Sequence, residues 1–166
     1  CVWDDLCRLS LDNLQNRGKR KLGVVFNLDK HYQNGSHWVS MFIDLDKHTI
    51  FYYDSAVNPV PREVSRLKKE IIAQGKKLSP PINFDYIQND YSHQTTNTEC
   101  GMYCLFFIIT WLTQRADKSI MDKSEHKMIG GRRVKISFEE LIKIFTKPGI
   151  NDQMMIRFRD IYFNKK

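Results

Sequence analysis

A single α+β domain is the architecture that three features of this 166-residue chain predict. Strand-like apolar segments alternate with segments of helical period. Two aromatic and β-branched runs are parted by a short polar break suited to a hairpin. No repeat, low-complexity run or linker divides residues 1–166, and that length is ordinary for one domain with a sizeable core.

In chain order, residues 3–15 place Leu6, Leu9 and Leu14 at helical spacing, and the basic turn NRGKRK leads into the apolar strand LGVVFNL. HWVSMFIDL and TIFYYDS, separated by DKH, should pair antiparallel. Pro61 suits the first turn of a helix whose Val64, Leu67 and Ile71 share a face, with Gly75 past its end as a stop signal. After the turn SPP, residues 82–87 read as a further strand. A polar stretch, Gln88 to Glu99, then carries the chain to an apolar helix starting near Cys100. Ser137 and Glu140 match a capping box ahead of Leu141, Ile144 and Phe145, and a last helix is expected near Asp152 to Phe163.

The four cysteines, Cys1, Cys7, Cys100 and Cys104, are too few and too unevenly placed for a secreted disulfide framework. Reduced thiols in an intracellular setting are therefore expected. The longest apolar run, Met102 to Leu112, is well short of the roughly 20 residues that span a bilayer, and no secretory leader pattern opens the chain. Its first residue is not methionine, which points to a fragment or processed form. The net charge of +7 is uneven: residues 1–115 carry 14 basic and 12 acidic side chains, residues 116–166 carry 12 and 7. The basic excess towards the C-terminus is a solvated face or a weak contact for nucleic acid or an acidic partner.

A thiol nucleophile needs a base within reach, a group that orients the base, and a donor aimed at the oxyanion. Cys100 lies where a polar loop turns into a helix, and exposed amides there favour a thiolate; cysteines so placed have pKa values of roughly 3.5–7.5. His37 begins one strand of the hairpin and Asp54 ends the other, so pairing brings both to one end of the sheet, while Asp44 goes to the other end. Cross-strand and diagonal neighbours lie about 4.5–8 Å apart at Cβ, within reach of an imidazole and a carboxylate. An acid on one imidazole nitrogen fixes the tautomer and leaves the other nitrogen to take the thiol proton. Gln94 and Gln88 are both candidate side-chain donors to the oxyanion, with the backbone amide of Cys100 as the second donor. Cys104, one turn on, reads as a small buried hydrophobe. A metal site of His93, Cys100 and Cys104 lacks the four ligands and paired spacing of structural zinc.

These residues resemble the SUMO-protease-like cysteine proteases, a family that includes adenovirus maturation protease and the core proteases of large cytoplasmic DNA viruses. The resemblance rests on His37-Trp38, an aspartate in YYDS seventeen residues after the histidine, and Gln94 followed six residues later by Cys100-Gly101 opening an apolar helix. It covers residues 23–112, and more loosely 138–163. It implies a papain-like fold of the SUMO-protease and adenain type, with a central mixed sheet, flanking helices and the nucleophile at a helix N-terminus. It also implies His37 as base, Asp54 as its orienter, Cys100 as nucleophile, Gln94 in the oxyanion hole, and Trp38 covering a narrow cleft that admits Gly-Gly. No metal or organic cofactor is implied.

SUMO proteases usually carry a longer segment before the histidine, with a further substrate-gripping tryptophan; here 36 residues precede His37 and Trp3 is not assigned that role. The expectation is thus a cysteine endopeptidase that cuts viral structural or polyprotein substrates after glycine, at Gly-Gly-X or a similar site. Gly130-Gly131-Arg132 offers a self-cleavage site or an ordinary loop. The alternatives are a SUMO or ubiquitin-like-modifier isopeptidase and, from another class, a non-enzymatic basic virion or nucleic-acid-binding module.

Overall fold

The computed structural model describes residues 4–29, 36–117, 120 and 133–163. The N-terminal segment forms two short helices, α1 (Asp4–Cys7) and α2 (Leu11–Asn16), where the leucine spacing predicts one. Ser10 divides them. Its extended backbone (φ −127°) breaks the helix, and its Oγ accepts the Asn13 amide at 3.2 Å to cap α2. Cys7 is disulfide-bonded, against the expectation of reduced thiols, while Cys100 and Cys104 are free. A cysteine count bounds how many bridges can exist and does not decide whether one forms. Cys1, Trp3 and Gly130-Gly131-Arg132, with the idea of self-cleavage, lie outside the described residues.

A mixed sheet follows: β1 (Lys21–Asn27), β2 (Trp38–Asp44), β3 (Thr49–Tyr53) and β4 (Asp85–Gln88) stand side by side in that order. β2 is antiparallel to β1 and β3, and β4 is parallel to β3. The parallel step needs a crossover, supplied by α3 (Arg62–Gly75). β4 begins later than the run 82–87 predicts, because the Ile82 amide donates to Gly75 O at the helix end rather than joining the sheet. Pro61 precedes the first residue of α3 as its cap, and Gly75 is the last helical residue rather than a stop beyond it. A Cβ on Gly75 would meet the Phe84 ring at 2.5 Å and the Ile82 carbonyl oxygen at 3.0 Å, so close packing requires this glycine.

Both faces of the sheet are buried, which explains why β2 and β3 read as almost unbroken apolar runs. Val39, Met41, Ile43, Ile50 and Tyr52 pack on Leu11 of α2 and on Val64 and Ile71 of α3. Phe42, Phe51 and Tyr53 point the other way, into a core built from α4 (Cys100–Thr113), α5 (Phe138–Thr146) and α6 (Asp152–Phe163). Phe107, Trp111, Phe145, Met155 and Phe158 fill it. The capping box of α5 is present: Glu140 Oε2 accepts the Ser137 amide at 2.7 Å and Ser137 Oγ accepts the Glu140 amide at 3.2 Å. Between α4 and α5 lies an unpredicted ribbon, β5 (Arg115–Asp117) against β6 (Arg133–Lys135). Three-residue strands are too short to show a period. Among the described residues no helix is long and apolar enough to cross a membrane.

Candidate active site

The site assembles where β2 begins, β3 ends and α4 begins. His37 directly precedes β2, and its carbonyl accepts the Leu28 amide at 2.9 Å, extending the β1–β2 ladder by one bond. Asp54 directly follows β3. Its Oδ1 lies 2.6 Å from His37 Nε2, as the hairpin geometry predicts.

Asp54 is almost wholly buried, and burial works to raise its pKa. The hydrogen bond from His37 and those from the amides of Ala56 (2.9 Å) and Asn58 (3.0 Å) outweigh that cost, so the carboxyl sits below its ordinary value. An ionised carboxylate only accepts hydrogen bonds. Nε2 of His37 therefore donates to Asp54, and Nδ1 is the ring nitrogen not engaged by the carboxylate.

Asn89 holds the backbone of the same residue. Its Oδ1 accepts the Asp54 amide at 3.0 Å and its Nδ2 donates to the Asp54 carbonyl at 2.7 Å and to Tyr91 O at 3.2 Å. This buried asparagine was not legible in sequence, since nothing distinguishes it within the polar stretch 88–99.

Gln94 and His37 both line one cleft of about 290 Å³, whose lining also includes Ser36, Ala56, Asn58 and Thr96. Ser55 places it, donating from Oγ to Gln94 Oε1 at 2.6 Å and accepting the backbone amides of His93 and Gln94 on its carbonyl. Gln94 Nε2 donates one hydrogen to Thr96 O, and an amide nitrogen carries two. The competing Gln88 closes β4, where its Oε1 accepts the Tyr86 hydroxyl at 3.0 Å, and it is not part of the cleft lining.

Cys100 is the first residue of α4 and is 8% exposed. Register along the sheet fixes its level. Ile108 lies against Gly23, which pairs with Phe42, and Cys104 lies beside Ser40. Four helical residues rise about 6 Å and two strand residues about 6.6 Å, so one turn before Cys104 puts Cys100 at about the level of the start of β2, the end of the strand that His37 precedes. Beside it, a Cβ on Gly101 would meet nothing within 4 Å, so the mouth of the helix is open. Trp38 is 40% exposed at the start of β2 and is no core residue.

Cys104 is different in kind. Burial pushes its thiol up to about 12, with the Ser40 hydroxyl working only partly against it, so it stays protonated. The His93 ring is committed as well: Nδ1 accepts from the Tyr53 hydroxyl at 3.2 Å and Nε2 donates to Lys147 O at 3.0 Å. Neither nitrogen is left for a metal, and among the described residues no cluster of three metal-ligating side chains occurs.

A half-open cleft holding an imidazole–carboxylate pair and a carboxamide donor, with a thiol at the N-terminus of the central helix, defines the class of the cysteine peptidases. The chain belongs to the Ulp1 protease family: that family's C-terminal catalytic domain matches residues 22–143. A protein of Acanthamoeba polyphaga mimivirus named as a thiol protease is 32% identical over 119 residues, covering 72% of this chain and 39% of its own length. The SUMO-1 cysteine protease of African swine fever virus is 36% identical over 88 residues, covering 52% and 32%. The crystal structure of the African swine fever virus protease superposes with a TM-score of 0.59 at 26% identity, over 85% of this chain and 43% of that one. The chain thus spans less than half the length of these relatives.

Proposed function

We propose that this chain is the catalytic domain of a cysteine endopeptidase that cuts protein substrates after glycine. The observation that carries the reading is the 2.6 Å bond from His37 Nε2 to Asp54 Oδ1, because it leaves Nδ1 as the ring nitrogen that faces away from the carboxylate and can serve as a base. In the proposed cycle His37 Nδ1 takes the Cys100 proton and the thiolate attacks the scissile carbonyl carbon, placing the electron pair on oxygen. The free hydrogen of Gln94 Nε2 and the backbone amide of Cys100 stabilise that oxyanion. Collapse expels the amine, which takes its proton from His37, and water activated by the same imidazole hydrolyses the thioester. Trp38, exposed over the start of β2, is assigned to the cleft roof, under which glycine fits and a side chain would clash. The viral origin of the relatives favours structural proteins or polyproteins as substrates.

Cleavage of a peptide library with intact-mass detection tests all of this together. The expected result is a thioester adduct on Cys100, glycine before the cut, and no cleavage by Cys100→Ala. Cleavage that persists in Cys100→Ala, or a preference for large residues before the cut, would sink the reading. The name of the African swine fever virus relative favours a second reading, an isopeptidase acting on SUMO or another ubiquitin-like modifier. Covalent capture of Cys100 by a modifier with a C-terminal electrophile, in the absence of peptide cleavage, would select it.

A further inference from the structure

The last helix reaches into the site through a residue whose chemistry is not spent on its own helix. Asp152 opens α6 and is buried, 8% exposed. An aspartate there commonly serves the helix terminus, but the cap bond at this end comes from its neighbour: Asn151 Oδ1 accepts the Met154 amide at 3.1 Å. Both oxygens of Asp152 instead face the polar loop and α4. Oδ2 accepts the Thr95 amide at 2.9 Å, the Thr95 hydroxyl at 2.7 Å and the Thr96 amide at 2.8 Å, while Oδ1 accepts the Tyr103 hydroxyl at 3.0 Å.

Thr96 is the shared member. Its amide is fixed by Asp152, and its carbonyl accepts Gln94 Nε2. Ser55 holds the other end of the same carboxamide. The plane of the Gln94 amide, and hence the direction of its free hydrogen, is set from two sides: Ser55 beside the base's partner Asp54, and Asp152 through Thr96. Without the carboxylate, three donors of Thr95 and Thr96 lose their common acceptor and the Thr96 carbonyl loses its anchor.

We propose that Asp152 is a positioning residue for the oxyanion step, acting through Thr96 on the Gln94 carboxamide; this rests on Gln94 being the oxyanion donor. α6 lies outside the span that matches the family's catalytic domain.

The test is a double-mutant cycle on a fluorogenic peptide ending in Gly-Gly before the dye, with Cys100 alkylation by iodoacetamide as a second readout. Gln94→Ala should lower kcat about 100-fold. Asp152→Ala should lower kcat about 10- to 100-fold with KM and alkylation rate unchanged, and the double variant should be no slower than Gln94→Ala alone. Asp152→Asn, which keeps one acceptor oxygen, should recover part of the loss. Thr95→Val should show a smaller loss of the same kind and serves if Asp152→Ala does not fold. Multiplicative losses in the double variant, or alkylation falling in step with kcat, would reduce Asp152 to a structural residue. If Gln94→Ala alone leaves kcat unchanged, the assignment of Gln94 fails first and the inference goes with it.

Discussion

Asp54→Asn isolates what a carboxylate does for His37. The variant keeps the shape but offers a hydrogen-bond donor where Nε2–H needs an acceptor, so the imidazole turns or changes tautomer, and kcat should fall by about 10²- to 10⁴-fold with little change in KM. Because Asp54 sits below its ordinary pKa, the stability it contributes is complete above about pH 3.9 and is lost as pH falls through its lower folded value. A kcat for Asp54→Asn within twofold of the unsubstituted protein would contradict a role for Asp54 in setting the base. Cys104→Ala should leave kcat within twofold and cost about 1–2 kcal/mol in denaturant unfolding from its buried packing; equal catalytic losses at Cys100 and Cys104 would revive a shared role for the two thiols. The meeting of His37 with Asp54 was legible at this scale because the hairpin fixes their ends, whereas the residues alone left Gln94 and Gln88 both open and only the family resemblance chose between them. Asn89 and Ser55 were not legible, because they act through backbone atoms and a carboxamide, which leave no pattern in a polar loop.

At the level of elements, the helices and strands that carry a long apolar period were legible: the hairpin, α3, α4, α5 with its capping box, and α6. The failures have local causes. Ser10 ends α1 by offering α2 a better start, β4 waits until the chain is released from the end of α3, and the β5–β6 ribbon is below the length at which alternation shows. Gly75 read as a stop and is a contact instead. Gly75→Ala should therefore destabilise the protein by about 1–3 kcal/mol, since the Ile82 carbonyl it would meet belongs to the backbone and cannot swing aside. Denaturant unfolding checks the value, and unchanged kcat at 25 °C would show that the strain stays on the α3 face.

For the molecule as a whole, the layered α+β architecture followed from sequence because both sheet faces are apolar. The role of the C-terminal helix did not, since its polar reach to Thr95, Thr96 and Tyr103 spans 49 to 57 residues. His93 ties the same layers together and gives global stability a pH dependence. Burial lowers its pKa below the ordinary 6.5, only partly opposed by its bond to Lys147 O. Its neutral form is the folded one, so the stability it supports is present above pH 6.5 and drains away as pH falls towards the lower folded value. The melting temperature should drop between pH 7.5 and 5.5, and drop less in His93→Gln; parallel curves would exclude His93 as the source. One peptide bond, between Asp54 and Ser55, joins the residue bonded to the His37 imidazole to the residue bonded to the Gln94 carboxamide. A displacement of that turn would therefore move the partners of the proposed base and of the proposed oxyanion donor together rather than one against the other.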